Sequence, residues 1–151
     1  MKKIHLECLP DEVLISKLGI SKKEIVHHQG KSRVFHTLKN NSGLIAMVDE
    51  DPGSTKTKYE NSLNFVEEFE GIKKYSDNSG NSVIILQGKL EDWIIFVCKK
   101  YEINLNSFGL PDRPNTLHNV INYKLKNLTR LIDQMISANN PAILKLKTWL
   151  G

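Results

Sequence analysis

The feature that most constrains this chain is a short apolar run that ends in acid. Leu44-Ile45-Ala46-Met47-Val48 is followed at once by Asp49-Glu50-Asp51-Pro52-Gly53-Ser54. The run has the length and composition of a buried strand. Pro52-Gly53 is turn chemistry and stops it. Side chains two apart on a strand share a face, so the spacing aims Asp49 and Asp51 the same way. In a parallel sheet wrapped by helices, the carboxyl ends of the strands are where ligands bind. Two carboxylates at such a point repel each other unless a cation lies between them, and a divalent metal with hard oxygen ligands is the natural candidate. The competing reading is a solvated turn after a strand.

The chain before and after this run places it in an α/β order. Ile4–Cys8 reads as a first strand, and Pro10 opens a helix with Asp11 and Glu12 in its first turn and Gly19 after its end. Residues 24–28 form a short second strand. A turn at Gln29-Gly30-Lys31-Ser32 leads into a helix to about Lys39 that carries Val34, Phe35 and Leu38 inward. The order β-α-β-α-β with short links predicts a parallel sheet. Lys56–Glu70 is expected to hold a helix with Leu63, Phe65, Val66 and Phe69 on one side. Ile72–Tyr75 and Ser82–Gln87 are expected as strands that pair in a hairpin. A helix from Lys89 to about Tyr101 buries Leu90, Trp93, Ile94, Val97 and Cys98. Residues 104–115 read as a loop, and from Thr116 the chain is helical, broken at Asn139-Asn140-Pro141.

With 151 residues and an ordinary apolar fraction, the chain suits one domain, residues 1–151. Its core spans about 1–102, and helices over about 116–150 cap the sheet. The formal charge of +4 and a pI near 9.0 permit nucleic-acid binding without requiring it. Cys8 and Cys98 are far apart and belong to no Cys/His cluster, so a disulfide framework or a structural zinc site is not expected. No signal peptide is expected after Met1-Lys2-Lys3, and no apolar stretch is long enough to span a bilayer. The expectation is a cytoplasmic protein.

Glu7 ends the first strand and Asp11 lies four residues on. If the first and third strands are neighbours, these acids approach Asp49 and Asp51, and four acids from two segments make a better metal site than either pair. The residues Glu7-Cys8-Leu9-Pro10-Asp11 and Asp49-Glu50-Asp51-Pro52-Gly53 resemble the two motifs of the Toprim superfamily, the metal-dependent domain of topoisomerases, primases and several nucleases. Those motifs are a glutamate ending the first strand, often Glu-Gly-x-x-Asp, and an Asp-x-Asp ending a later one. Gln29-Gly30-Lys31-Ser32 resembles the Gly-rich turn between them. The glycine usual after the glutamate is Cys8 here. The resemblance implies a Rossmann-like Toprim sheet flanked by helices. Topoisomerases use a tyrosine on another domain and primases carry further modules, so a chain of this kind is most similar to the small OLD-like and maturase-like nucleases. It implies a Mg²⁺- or Mn²⁺-dependent hydrolase that cleaves phosphodiester bonds in DNA or RNA. Glu7, Asp49 and Asp51 would be catalytic and metal-binding, and Asp11 a further metal ligand. Lys89, Lys31 and Lys56 are candidates for the lysine near the leaving oxygen, with Lys89 taken as catalytic. The alternative is an inactive Toprim-like partner of an ATPase or another protein.

Other residues have plainer readings. His27, His28 and His36 are candidates for a second metal site or a general base, but adjacent histidines on a strand point to opposite faces. Gly30-Lys31-Ser32 lacks the upstream glycine of a P-loop. Glu91 is placed to reach the metal site, although acids are favoured in a helix's first turn in any case. Trp93 and Trp149 read as core. Lys124, Lys126, Arg130, Lys145 and Lys147 give the C-terminal helices a basic face, either solvated or turned toward nucleic acid.

Overall fold

A computed structural model describes residues 3–151. Met1 and Lys2, the start of the basic N-terminal run, lie outside the described residues. The chain is α/β, a six-stranded mixed sheet flanked by helices. In chain order the elements are β1 (Ile4–Leu6), α1 (Leu9–Lys17), β2 (Ile25–His27), α2 (Lys31–Lys39), β3 (Ile45–Asp49) and α3 (Lys58–Asn61). Then come β4 (Asn64–Phe69), β5 (Ile72–Ser76), β6 (Ser82–Leu86), α4 (Leu90–Lys100), α5 (Pro114–Val120), α6 (Leu125–Ser137) and α7 (Pro141–Leu150). Among the described residues, no helix is long and apolar enough to cross a membrane.

The strand order is β2-β1-β3-β6-β5-β4. The first four run parallel, with Ile4 opposite Ile45 and Ala46 opposite Val83. The sheet is not parallel throughout, because β5 and β4 add as an antiparallel pair on one side. The β5–β6 hairpin expected from the sequence is present, but the helix expected over Lys56–Glu70 is not. Only Lys58–Asn61 is helical, and Asn64–Phe69 is an edge strand. The reason lies in the two residues that follow. Glu70 and Gly71 both take positive φ, 50° and 77°, the backbone of a two-residue hairpin turn. Phe69 then faces Ile72 across the ladder, and aromatic and branched residues that mimic a helical stripe lie on a pleat instead. Residues 104–115 are also not all loop: Leu105–Phe108 makes a 3-10 turn and α5 begins at Pro114, a favoured first helical residue.

The helices divide unequally between the faces. Val34, Phe35 and Leu38 of α2 pack on Ala46, Val48, Val83 and Ile85. The opposite faces of the same strands, Ile45, Met47, Ile84 and Leu86, share a larger core with α1, α4 and the C-terminal helices. β3 is therefore buried on both sides, which explains its unbroken apolar run. Trp93 and Trp149 belong to the larger core, as their helical spacing predicts. The connection leaving β1 passes to the α1 face. The connection leaving β3 leads to α3, whose Tyr59 packs against the α2 face. Between the carboxyl ends of two adjacent parallel strands, the chain thus diverges to opposite sides and opens a crevice there.

One buried side chain fixes the start of β3. The Asn81 amide donates to the carbonyls of Leu38 (2.8 Å) and Asn41 (3.0 Å) and to the Asp77 carboxylate (2.7 Å). Its Oδ1 accepts from the Leu44 N–H at 2.8 Å. It ties the end of α2, the entry to β3 and the β5–β6 turn together. Asn81→Ala leaves several of these groups buried without partners and is expected to cost about 2–3 kcal/mol. Urea denaturation monitored by far-UV circular dichroism measures this, and a loss below about 0.5 kcal/mol contradicts it.

Candidate functional site

The crevice at the ends of β1 and β3 is acidic. β1 ends at Leu6, so Glu7 and Cys8 already lie outside the ladder as the chain bends into α1. There the Glu7 Oε1 accepts the backbone N–H of Asp49 at 3.1 Å, and a side chain takes over where the β1–β3 ladder stops. Asp49 is the last residue of β3. Asp51 is beyond the strand with φ of 49°, a left-handed conformation that aspartate tolerates better than most residues. Its direction is therefore set by the turn, and the strand alternation expected to align it with Asp49 does not apply.

The turn is held from two sides. Glu50 N–H donates to Leu86 O (2.9 Å) and Asp51 N–H donates to Gly88 O (3.0 Å). Gly88 N–H donates to the Glu50 carboxylate at 3.3 Å. Gly88 has φ of 70°, and a Cβ there would come within 2.8 Å of Asp92, so this position requires glycine. From the other side, the Lys31 ammonium donates to Glu50 O at 3.0 Å and sits 3.5 Å from the nearly buried Glu60 carboxylate. Lys31 is thus occupied in bracing the acidic turn.

Glu7, Asp49 and Asp51 line one cavity of about 270 Å³ together with Lys89, Glu91 and His118. The structure brings the first four of these together as the sequence expected, with Lys89 just ahead of α4 and Glu91 in that helix's first turn. Asp11 is different. It is buried (1 % exposed) behind the cavity wall, where Cys8 Sγ–H donates to its Oδ2 at 3.0 Å, and its Oδ1 has no partner. Asp49 Oδ1 is likewise buried without a partner. Lys56 is exposed and does not line the cavity. Nor do the three sequence-nominated histidines: His27 pairs with Glu12 (2.7 Å), His28 with His5 (2.7 Å), and His36 lies near Asn40 (3.3 Å).

His118 escapes the sequence reading. It comes from α5, and its Nδ1 lies 3.3 Å from the Glu91 carboxylate. No local spacing links the two, and packing of α5 on α4 creates the pair.

The electrostatics follow from crowding carboxylates away from water. Burial, then the charges of Asp11, Glu7, Glu91 and Asp51, push the Asp49 carboxyl up to about 9. Burial chiefly raises Asp11 to about 7, with Glu7 and Glu91 adding and the Cys8 hydrogen bond opposing. Glu7 is raised by burial, with the Asp49 N–H and Lys31 holding it back. The Cys8 thiol is pushed far up by burial and by Asp11, so it stays protonated and is not a nucleophile.

The carboxylates lining the cavity offer hard oxygens, of which the buried Asp49 Oδ1 has no partner, a donor type that suits Mg²⁺ or Mn²⁺. As the side chains stand, no three of them among the described residues form a group set to hold a metal ion. Comparison with family models finds no match to the chain, and comparisons with curated proteins and with solved structures find none either.

A carboxyl raised in the folded state keeps its proton after the unfolded chain has lost it. Stability must then fall as pH rises from about 4, the ordinary aspartate value, toward about 9, and level off above. In EDTA, the melting temperature of the wild type is expected to decline across this window, and Asp49→Asn should flatten the decline. Equal slopes for the two proteins in thermal denaturation at stepped pH contradict the assignment.

Proposed function

We propose that this chain is a metal-dependent phosphodiesterase of the Toprim type, a nuclease or nuclease subunit acting on DNA or RNA. The observation that carries the reading is that Glu7, Asp49, Asp51 and Glu91, from three separate segments, line one cavity at the ends of adjacent parallel strands. The resemblance of the Glu7–Asp11 and Asp49–Gly53 segments to Toprim motifs supports the same reading.

Glu7, Asp49 and Asp51 would hold the ion once their side chains close onto it. Asp11 and Glu91 add negative charge beside them. A bound Mg²⁺ or Mn²⁺ would supply Lewis acidity and a water made acidic enough to attack phosphorus. The residues of the chain supply position. Glu7, hydrogen-bonded to the end of β3, keeps the first acid in register with the second. Lys31 and Gly88 hold the acidic turn. Lys89, which lines the cavity, would stabilise the charge that grows on the leaving oxygen.

A second reading has one observation in its favour. Cys8 stands where Toprim motifs usually carry glycine, and its thiol occupies Asp11. A relative that keeps the acids but no longer cuts, and serves as a partner of an ATPase or another protein, would look like this. The two readings share a metal site and differ in turnover.

The metal site is tested by stability. An ion that binds only the folded state stabilises it by about 2.7 kcal/mol at ~100-fold over its dissociation constant. Mg²⁺ or Mn²⁺ should raise the wild-type melting temperature where Na⁺ at matched ionic strength does not, and Asp49→Asn with Asp51→Asn should abolish the response. An identical response in both proteins refutes the site. Turnover is tested separately by incubating the wild type with labelled single- and double-stranded oligonucleotides in Mn²⁺. Cleavage that Asp49→Asn reduces at least ~100-fold supports the nuclease. A wild type that binds metal but cuts nothing selects the second reading.

A further inference from the structure

The cavity is walled on one side by a segment whose composition differs from the rest of the chain. From Arg113 to Ile132 there is no aspartate or glutamate, while Arg113, Lys124, Lys126 and Arg130 are cationic. Within this stretch His118, Ile121 and Asn122 line the acidic cavity. The next residue, Tyr123, closes the 3-10 turn Ile121–Tyr123 and is 89 % exposed. Among the described residues, no carboxylate pairs with Arg113, Lys124 or Lys126, although lysines elsewhere are paired, Lys145 with Glu67 at 2.6 Å and Lys100 with Glu70 at 2.8 Å.

We propose that Tyr123, with Lys124 and Lys126, forms a landing surface for a single, unpaired polynucleotide strand at the mouth of the acidic cavity. The inference rests on the phosphodiesterase reading and adds its substrate class. A cavity of about 270 Å³ is too small for a run of nucleotides, so a strand with one phosphodiester group inside it has its flanking nucleotides on the rim. Strand phosphates are repelled by the four cavity acids and need cations close by, and the acid-free segment is the wall that offers them. A tyrosine held out in water gains nothing from the core. Beside such cations it provides a π-face for a base to stack on, which a base already paired in a duplex does not offer freely. The basic residues of the C-terminal helices do not act together. Lys147 lines a cavity with Ile4 and Ile45, the first residues of β1 and β3, at the other end of the sheet. Arg130 donates to Phe108 O at 3.2 Å. Of these lysines and arginines, Lys124 and Lys126 are the ones next to the turn whose Ile121 and Asn122 line the acidic cavity.

The test is fluorescence anisotropy of the full chain with labelled 12-nucleotide single-stranded DNA, the same sequence as RNA, and the DNA duplex. Ca²⁺ replaces Mg²⁺ to hold the carboxylates without turnover. Tyr123→Ala should weaken binding to one or both single strands at least about 5-fold, the low end of base–aromatic stacking, while Tyr123→Phe keeps it. Lys124→Gln with Lys126→Gln should weaken it further and lower the salt slope by up to about 1.4, or about 0.7 for each phosphate left without its lysine. Circular dichroism confirms the fold of each variant, since Tyr123 is exposed. Tyr123→Ala within 2-fold of wild type on both single strands overturns the proposal, as does a duplex bound more tightly than either strand. The metal site is measured separately: Tyr123→Ala must keep the Mn²⁺ rise in melting temperature. A wild type lacking that rise condemns the metal site, and strand binding is still judged by Tyr123→Ala.

Discussion

Carboxyl groups withdrawn from water at the ends of two neighbouring strands are the constraint on which the rest of this molecule turns. β1 and β3 pair in parallel, and their apolar side chains are buried. Their pairing delivers Glu7 to Asp49, and burial together with Asp11, Glu91 and Asp51 makes ionisation there unfavourable. A fold stabilised by only about 5–15 kcal/mol does not hold such a cluster cheaply. If a divalent ion binds here as proposed, its charge would offset the cost of ionising these carboxyls.

The architecture concentrates that charge and braces it. The connections from β1 and β3 leave toward opposite faces of the sheet, so nothing fills the crevice between them. The acidic turn after β3 is tied to the β6–α4 turn through Gly88 and to α2 through Lys31. Lys31 is itself nearly enclosed, paired with Glu60 and lying over Phe35. These braces restrict how far the carboxylates can spread apart, and preorganisation of this kind is what a metal or a phosphoryl group exploits.

Much of this is legible in the amino-acid sequence, and what is not has definite causes. The apolar run Leu44–Val48 identifies a doubly buried strand because both its faces meet helices. Pro10 and Gly19 mark α1, and the β-α-β order places Glu7 beside Asp49. β4 reads as a helix because Leu63, Phe65, Val66 and Phe69 fit a helical stripe, and the deciding signal is the Glu70-Gly71 hairpin turn. Strand alternation aims Asp51 with Asp49, but the strand ends two residues earlier, and a left-handed backbone redirects it. Asp11 is expected at the site and is sealed behind Cys8, a consequence of α1 packing that spacing alone does not encode. His118 joins the cavity only through contact between α4 and α5, so no window of sequence contains the pair it forms with Glu91.

Whether the cluster receives a metal is decided most directly by diffraction from crystals soaked in Mn²⁺, with data collected at the manganese absorption edge. Anomalous density bounded by Glu7, Asp49 and Asp51, at oxygen distances of about 2.0–2.3 Å, is the predicted result. Crystals that take up Mn²⁺ elsewhere while these three carboxylates stay apart, with no peak between them, contradict the central claim.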